Sequence, residues 1–252
     1  MAERARRLAD HVVVVTGAAQ GVGECVARTL AEEGATLMLA DIQEEKVAAV
    51  AADLRGDGVD AASAYVDVAE RRLARELVDR TLALHGAVDA IVLCGGLDAP
   101  PGDAWELDEE QWRSVVDVDL TGQWWCAEAV LPHMLERRTG RIVFISSVVA
   151  RIGNARFSPA YAAAKGGLIG LTVQLSAQVE RYGVLVNCIA PGALGTGTPI
   201  LDDERLAYDA QFPLGIVGPQ PVADAIVYLL APSGDWISGA VLNISGGRVR
   251  GV

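Results

Sequence analysis

Six apolar runs of strand length recur along the chain: VVVV at 12–15, TLMLA at 36–40, AIVL at 90–93, RIVFIS at 141–146, VLVNCI at 184–189 and AVLNI at 240–244. They are continuous, not alternating. A strand with one wet face alternates polar and apolar side chains, so a continuous run marks a strand covered on both faces. The stretches at 22–34, 44–55, 70–85, 109–137 and 161–182 have helical spacing. Alternation of the two kinds predicts an α/β fold, a doubly wound sheet with helices on both faces. Residues 192–220, rich in Gly, Pro and Asp, read as a long loop with one or two short helices.

At 252 residues, with 51% apolar side chains, the chain suits one large domain, and no repeat, low-complexity tract or Pro/Gly linker divides it. A net charge of −12 argues against nonspecific binding to nucleic acid or anionic membrane, since both need clustered Lys and Arg. Small molecules, or copies of the chain itself, are the expected partners. Cys25, Cys94, Cys126 and Cys188 are scattered, with no CxxC and no neighbouring histidine cluster, so no metal site is expected and a reducing cytoplasm fits. The basic stretch MAERARRLADH is followed by an apolar run too short for a signal-peptide core. No segment approaches the roughly 20 apolar residues of a membrane helix.

After the first strand comes TGAAQGVG, residues 16–23, and then a helical pattern. Gly17, Gly21 and Gly23 stand where a crowded turn needs positive φ and where backbone N–H groups must come close to a pyrophosphate at a helix N-terminus. An ordinary strand-to-helix turn uses the same residues, but a strand before, a helix after and first place in the sheet favour binding. Gln20 and Val22 belong to the same loop. Asp41 closes the second strand, 18 residues past Gly23. An acid there accepts hydrogen bonds from an adenosine ribose and repels a 2′-phosphate, so NAD is preferred over NADP. Gln20 and Ile42 supply no cation to reverse that preference.

Tyr161 and Lys165, in YAAAK, are four apart and share one helix face. A tyrosine exchanges a proton with an alcohol or carbonyl oxygen only when its high pKa is lowered, which a nearby ammonium does. The strand RIVFIS runs into Ser147, at the carboxyl end of a parallel strand, where sites of open α/β sheets form.

Together these residues resemble the classical short-chain dehydrogenase/reductase family. The resemblance spans nearly the whole chain: TGAAQGVG, Asp41, Asp67-Val68, SSVV, YAAAK, VNCIAPG with Thr196, and SGAVLNISGG. It implies a single Rossmann-like domain over residues 1–252 with a mostly parallel seven-stranded sheet, a nicotinamide cofactor, and a homotetramer or homodimer. It also implies roles. Ser147 holds the substrate oxygen, Tyr161 exchanges its proton, and Lys165 holds the nicotinamide ribose and depresses the tyrosine pKa. Asp67 and Val68 border the adenine, and Pro191, Gly192 and Thr196 flank the nicotinamide. Cys94, Gly95 and Gly96, which follow the run AIVL, line the cofactor. The reaction expected is hydride transfer between NAD(H) and a secondary alcohol or ketone, with the loop at about 193–216 shaping the substrate pocket. Neither that loop nor Leu97, Arg151 and Ile152 identifies the substrate.

Three departures from the family pattern stand out. Asp119, in DVDLTG, occupies a position where the family usually has Asn holding a water that connects the active-site lysine to solvent. A carboxylate only accepts hydrogen bonds where an amide also donates. Asp119 is expected to reorganise that relay and bring negative charge near Lys165, and Asp119→Asn to keep or raise activity. Leu93-Cys94-Gly95-Gly96 replaces an Asn-Asn-Ala-Gly pattern, implying a more apolar brace between strands. Ser147 and Tyr161 are 14 residues apart where 13 is typical, which keeps Ser146 open as an alternative serine. These departures also motivate a second reading, a non-catalytic dinucleotide-binding sensor or structural subunit. His11, His85 and His133 read as surface or helix-end residues. Of Trp124 and Trp125, one ring is expected in the core and the other at an interface or pocket, and Trp236 at an interface.

Overall fold

The computed structural model describes residues 6–97, 103–154, 156–195 and 208–251. Seven strands, β1 (Val12–Thr16), β2 (Thr36–Asp41), β3 (Ala61–Tyr65), β4 (Ala90–Leu93), β5 (Gly140–Ile145), β6 (Val184–Pro191) and β7 (Val241–Ile244), form one sheet in the order β3-β2-β1-β4-β5-β6-β7. Every pairing is parallel. The helices are α1 (Gly21–Glu32), α2 (Glu44–Gly56), α3 (Arg71–His85), α4 (Glu109–Val116), α5 (Gln123–Arg137), α6 (Pro159–Val179) and α7 (Gln220–Leu230).

Two apolar cores sandwich the sheet. One joins Val13, Val15, Leu37 and Leu39 to Val26 and Leu30 of α1 and to Val222, Ile226 and Leu230 of α7. The other joins Val14, Met38, Ile91 and Phe144 to Leu77, Val130 and Leu168 of α3, α5 and α6. Alternate residues of one strand thus feed opposite cores, which is why β1 must be apolar at every position. β3 was not among the six apolar runs. It is an edge strand of small residues, AASAY, with only two of five positions buried, so it carries no continuous apolar signal.

Helix ends follow local chemistry. Asp108 caps α4 in a reciprocal capping box with Gln111. Ser158 caps α6, accepting the Tyr161 N–H at 3.3 Å, with Pro159 at the first helical position. The helical stretch expected over 109–137 forms, but not as one α-helix: Asp117–Gly122 is a π-turn between α4 and α5. Both Trp124 and Trp125 pack partly buried against the second core, and Arg71 covers Trp125 at 4.7 Å, whereas Trp236 is almost fully exposed. Among the described residues no helix is long and apolar enough to cross a membrane.

Candidate active site

The strand order reverses between β1 and β4, and at such a reversal the carboxyl edge of an open α/β sheet is where a site forms. Backbones pass very close there. A Cβ on Gly17 would lie 2.6 Å from the Gly95 nitrogen, and Gly17 has φ +66°, so clearance and conformation both require glycine. Gly95 N–H donates to Thr16 Oγ1 at 3.4 Å. Gly21, at φ +59°, opens α1 with no atom within 4 Å of where its Cβ would stand, and Gly23 abuts the Gly17 carbonyl. Exposed Gln20 precedes the helix and Val22 packs partly against the first core. The loop therefore presents backbone, not side chains, at the N-terminus of a 12-residue helix, a fit for a pyrophosphate.

Asp41 is buried and turned back on this loop. Its Oδ2 accepts the Ala19 N–H at 3.0 Å and its Oδ1 the Gln43 N–H at 2.9 Å, which holds the carboxylate at the loop's edge beside exposed Ile42. Lys46, absent from the sequence reading, stands on the same rim. Its Nζ donates to Gln43 Oε1 at 2.6 Å and reaches Gln20 Oε1 at 3.5 Å. Helical spacing places Lys46 near Gln43, but nothing local shows that the loop carrying Gln20 folds over it. Asp67 closes its own turn by accepting the Ala69 N–H at 3.0 Å, and buried Val68 lies against Gly95 and Gly122.

The capped start of α6 puts Tyr161 in its first turn and Lys165 one turn later. Lys165 Nζ stands 5.5 Å from the Tyr161 ring centroid, donates to Ile145 O at 3.3 Å and pairs with Asp119 Oδ2 at 3.4 Å. Both charges are buried, and Asp119 Oδ1 accepts the Leu97 N–H at 2.7 Å. Burial pulls the Lys165 ammonium down, but Asp119, with Tyr161 and Cys188, outweighs it, so its pKa is raised above the ordinary lysine value. Phe157 stacks on Tyr161 with ring centroids 5.4 Å apart. Ser146 donates its hydroxyl to the Lys165 carbonyl at 2.7 Å, whereas Ser147 Oγ accepts the Val149 N–H at 3.2 Å, which leaves its hydroxyl hydrogen for another acceptor. That division favours Ser147 over Ser146.

Asp119 owes its place to the π-turn. Widening one turn re-aims the side chains it carries, and such turns concentrate at functional sites. Leu120 packs on Gly167 of α6 and Asp119 turns fully inward beneath the β4 loop, whose Gly96 lies beside Lys165 Nζ. Buried Gln123, also absent from the sequence reading, donates from Nε2 to Gly95 O and Val118 O, both at 2.9 Å. It supplies an amide brace beside apolar Leu93 and half-buried Cys94, whose thiol burial pushes up to about 12 against the opposing pull of Lys165. Pro191 ends β6, the Gly192 N–H donates to Ile244 O at 2.9 Å, and Phe212 stands against Gly192. Thr196 lies outside the described residues. Among the described residues no group of three His, Cys, Asp or Glu is placed to hold a metal.

A family model described as short chain dehydrogenase matches residues 11–206. The chain is 37% identical over 244 residues to a cis-4-hydroxycyclohexanecarboxylate dehydrogenase of Sinomonas cyclohexanicum, covering 95% of this chain and 96% of the relative. It is 34% identical to the (2S)-[(R)-hydroxy(phenyl)methyl]succinyl-CoA dehydrogenase subunit BbsD of Thauera aromatica, covering 95% and 96%. It is 32% identical to a 3-oxoacyl-[acyl-carrier-protein] reductase of Thermotoga maritima, covering 96% and 99%. The crystal structure of gox2181 superimposes with a TM-score of 0.89 at 30% identity, covering 96% of this chain and 97% of that one. With its all-parallel seven-stranded sheet and its site at the strand reversal, the chain belongs to the short-chain dehydrogenase/reductase family of oxidoreductases that use a nicotinamide dinucleotide.

Proposed function

We propose that this protein is an NAD-dependent dehydrogenase interconverting a secondary alcohol and its ketone, with Tyr161 as general acid/base. The observation that carries the reading is the juxtaposition of Tyr161 with a buried ammonium at 5.5 Å, on a helix whose start is fixed by Ser158 and Pro159. Tyr161 takes the hydroxyl proton of the alcohol, or returns it to the ketone, so that charge does not build up on oxygen. Ser147 holds that oxygen, and Lys165 stabilises the phenolate and binds the ribose nearest the reacting ring. The dinucleotide supplies hydride acceptance and donation. The protein holds it by the backbone of Gly17, Gln20, Gly21, Val22 and Gly23, by Asp41 and Ile42 at one end, by Asp67, Val68 and the Cys94-Gly95-Gly96 loop, and by Pro191, Gly192 and Thr196 at the other. Asp119 is the counter-ion of Lys165. Residues 1–252 act as one dinucleotide-binding and catalytic domain in the cytoplasm, as a homotetramer or homodimer, with the loop at about 193–216 over the substrate.

Asp41 supports NAD because its buried carboxylate would face a 2′-phosphate, and Lys46, already engaged by Gln43 and Gln20, is the counterweight. The relatives named above include two dehydrogenases whose names carry a hydroxylated substrate and a reductase of an oxoacyl group, in keeping with alcohol–ketone chemistry. A panel of secondary alcohols followed by nicotinamide absorbance tests the activity. NAD is expected to bind at least tenfold more tightly than NADP, and tighter NADP binding would contradict the role given to Asp41.

A further inference from the structure

Lys165 faces two partners at once. Its Nζ stands 3.4 Å from Asp119 Oδ2 and 5.5 Å from the centre of the Tyr161 ring, so one ammonium serves both a carboxylate and the phenol assigned to proton exchange. The pair is enclosed. Asp119 has no exposed surface and Lys165 is buried. Ile145 O accepts from Lys165 Nζ at 3.3 Å, and the Leu97 N–H donates to Asp119 Oδ1 at 2.7 Å. The β4 loop lies against both: a Cβ on Gly96 would stand 3.2 Å from Lys165 Nζ and 3.4 Å from Asp119 Oδ1. Charges shut away from water are weakly screened, so each is felt at the neighbouring group.

Among the described residues, the other titratable groups that act on Lys165 are Tyr161 of its own helix and Cys188 of β6, and Lys165 acts in turn on Cys94 after β4. Burial pushes these two thiols up to about 11 and about 12, so both stay neutral near pH 7. Arg151, beyond Ser147, acts on Cys188 and is engaged with Asn243 Oδ1 at 3.0 Å. Phe157 and Leu107, which pack on Tyr161, carry no charge. Of these groups Asp119 alone is negative near pH 7, and its charge has two opposed effects. It keeps the proton on Lys165, whose ammonium burial would discharge, and it cancels part of the positive field that favours a Tyr161 phenolate. A neutral amide would do neither. In the oxidation direction an alcohol loses its hydride to the dinucleotide and its hydroxyl proton to the Tyr161 oxygen, which must begin ionised. The rate therefore rises as Tyr161 ionises and falls as Lys165 loses its proton.

We propose that Asp119 is a positioning residue for proton exchange, acting through Lys165 to place the pH window of alcohol oxidation higher than an amide at the same position would. The inference deepens the dehydrogenase reading and rests on it for the link between Tyr161 ionisation and rate. Asp119→Asn keeps an oxygen for the Leu97 N–H and removes the charge, so a merely structural role would leave the window in place. Two profiles are measured, with the fold checked by circular dichroism at each pH. One is kcat/KM for a secondary alcohol with NAD. The other is ionisation of Tyr161 by ultraviolet difference absorbance, isolated among the chain's five tyrosines by subtracting Tyr161→Phe in the same background. In the variant the acid limb of kcat/KM and the Tyr161 ionisation should move down together by about one unit, and the alkaline limb by about one unit or more as the uncompensated ammonium discharges earlier. The variant should thus outpace the native protein near about pH 7 and fall behind it near about pH 10, while the native protein shows no descending limb below about pH 10. Limbs that stay within about 0.3 unit, or that move upward, overturn the inference. A native descending limb below about pH 9 with the fold intact overturns it without any variant. A downward shift in Tyr161 ionisation with no alcohol turned over leaves the hold of Asp119 on Tyr161 standing and counts against the dehydrogenase reading.

Discussion

Asp119 has no exposed surface and faces Lys165 across 3.4 Å, so the two charges must be understood together. Removing one partner of a buried pair strands the other in a medium that disfavours charge, typically at a cost of about 3 kcal/mol. Asp119→Asn keeps an oxygen for the Leu97 N–H and so isolates the charge effect. In the native protein the raised Lys165 pKa contributes stability that is complete below the ordinary lysine value near 10 and lost as pH rises above it. The variant is therefore predicted to unfold in urea about 3 kcal/mol more easily at pH 7, with the gap closing above about pH 10, while retaining turnover. A gap under about 0.5 kcal/mol at pH 7 would show that Asp119 is no counter-ion. Tyr161, Lys165 and Ser147 were legible in the sequence because helix pitch and a strand end fix their places. Lys46 and Gln123 were not, because their partners lie on loops brought alongside only by the fold.

Three elements show where a pattern of residues does and does not announce structure. The loop between β1 and α1 was legible because its glycines answer to a local demand, and at Gly17 the demand is doubled by the Gly95 backbone. Gly17→Ala is predicted to lower unfolding free energy by about 2 kcal/mol through the left-handed conformation alone. It should also weaken NAD binding at least tenfold, since displacing Gly95 moves the β4 loop proposed to line the cofactor; calorimetry checks the binding, and unchanged affinity would mean that the two loops do not share the site. The π-turn at Asp117–Gly122 was illegible, because a widened turn leaves helical periodicity intact on either side. Its consequence, an acid aimed inward beneath Gly96, appears only when α4, α5 and α6 are seen packed together. β3 stayed hidden for the opposite reason, since an edge strand of small residues has little apolar surface to announce itself.

Across the whole molecule, the strand and helix alternation read from the chain gave the layered architecture, while the sheet order, which locates the site between β1 and β4, is a tertiary outcome. Global pH dependence follows from burial. Cys126 and Cys188 are enclosed, and desolvation pushes their thiols up to about 12 and about 11. With Cys94 pushed up likewise, the folded state holds three protons that the unfolded chain releases above about pH 9, and their stabilising contribution, complete below that pH, is lost by roughly 4 kcal/mol per unit as pH rises from there towards 11. Urea unfolding at pH 8 and pH 10 should show this loss, and Cys126→Ala should cut its slope by about a third; a flat profile would mean that these thiols ionise as freely folded as unfolded. The central claim, that this architecture delivers proton exchange to an alcohol oxygen through Tyr161, is tested most directly by Tyr161→Phe. With NAD binding verified by calorimetry, the account predicts a fall in turnover of a secondary alcohol of about a hundredfold or more. Turnover within tenfold of the native protein would contradict it.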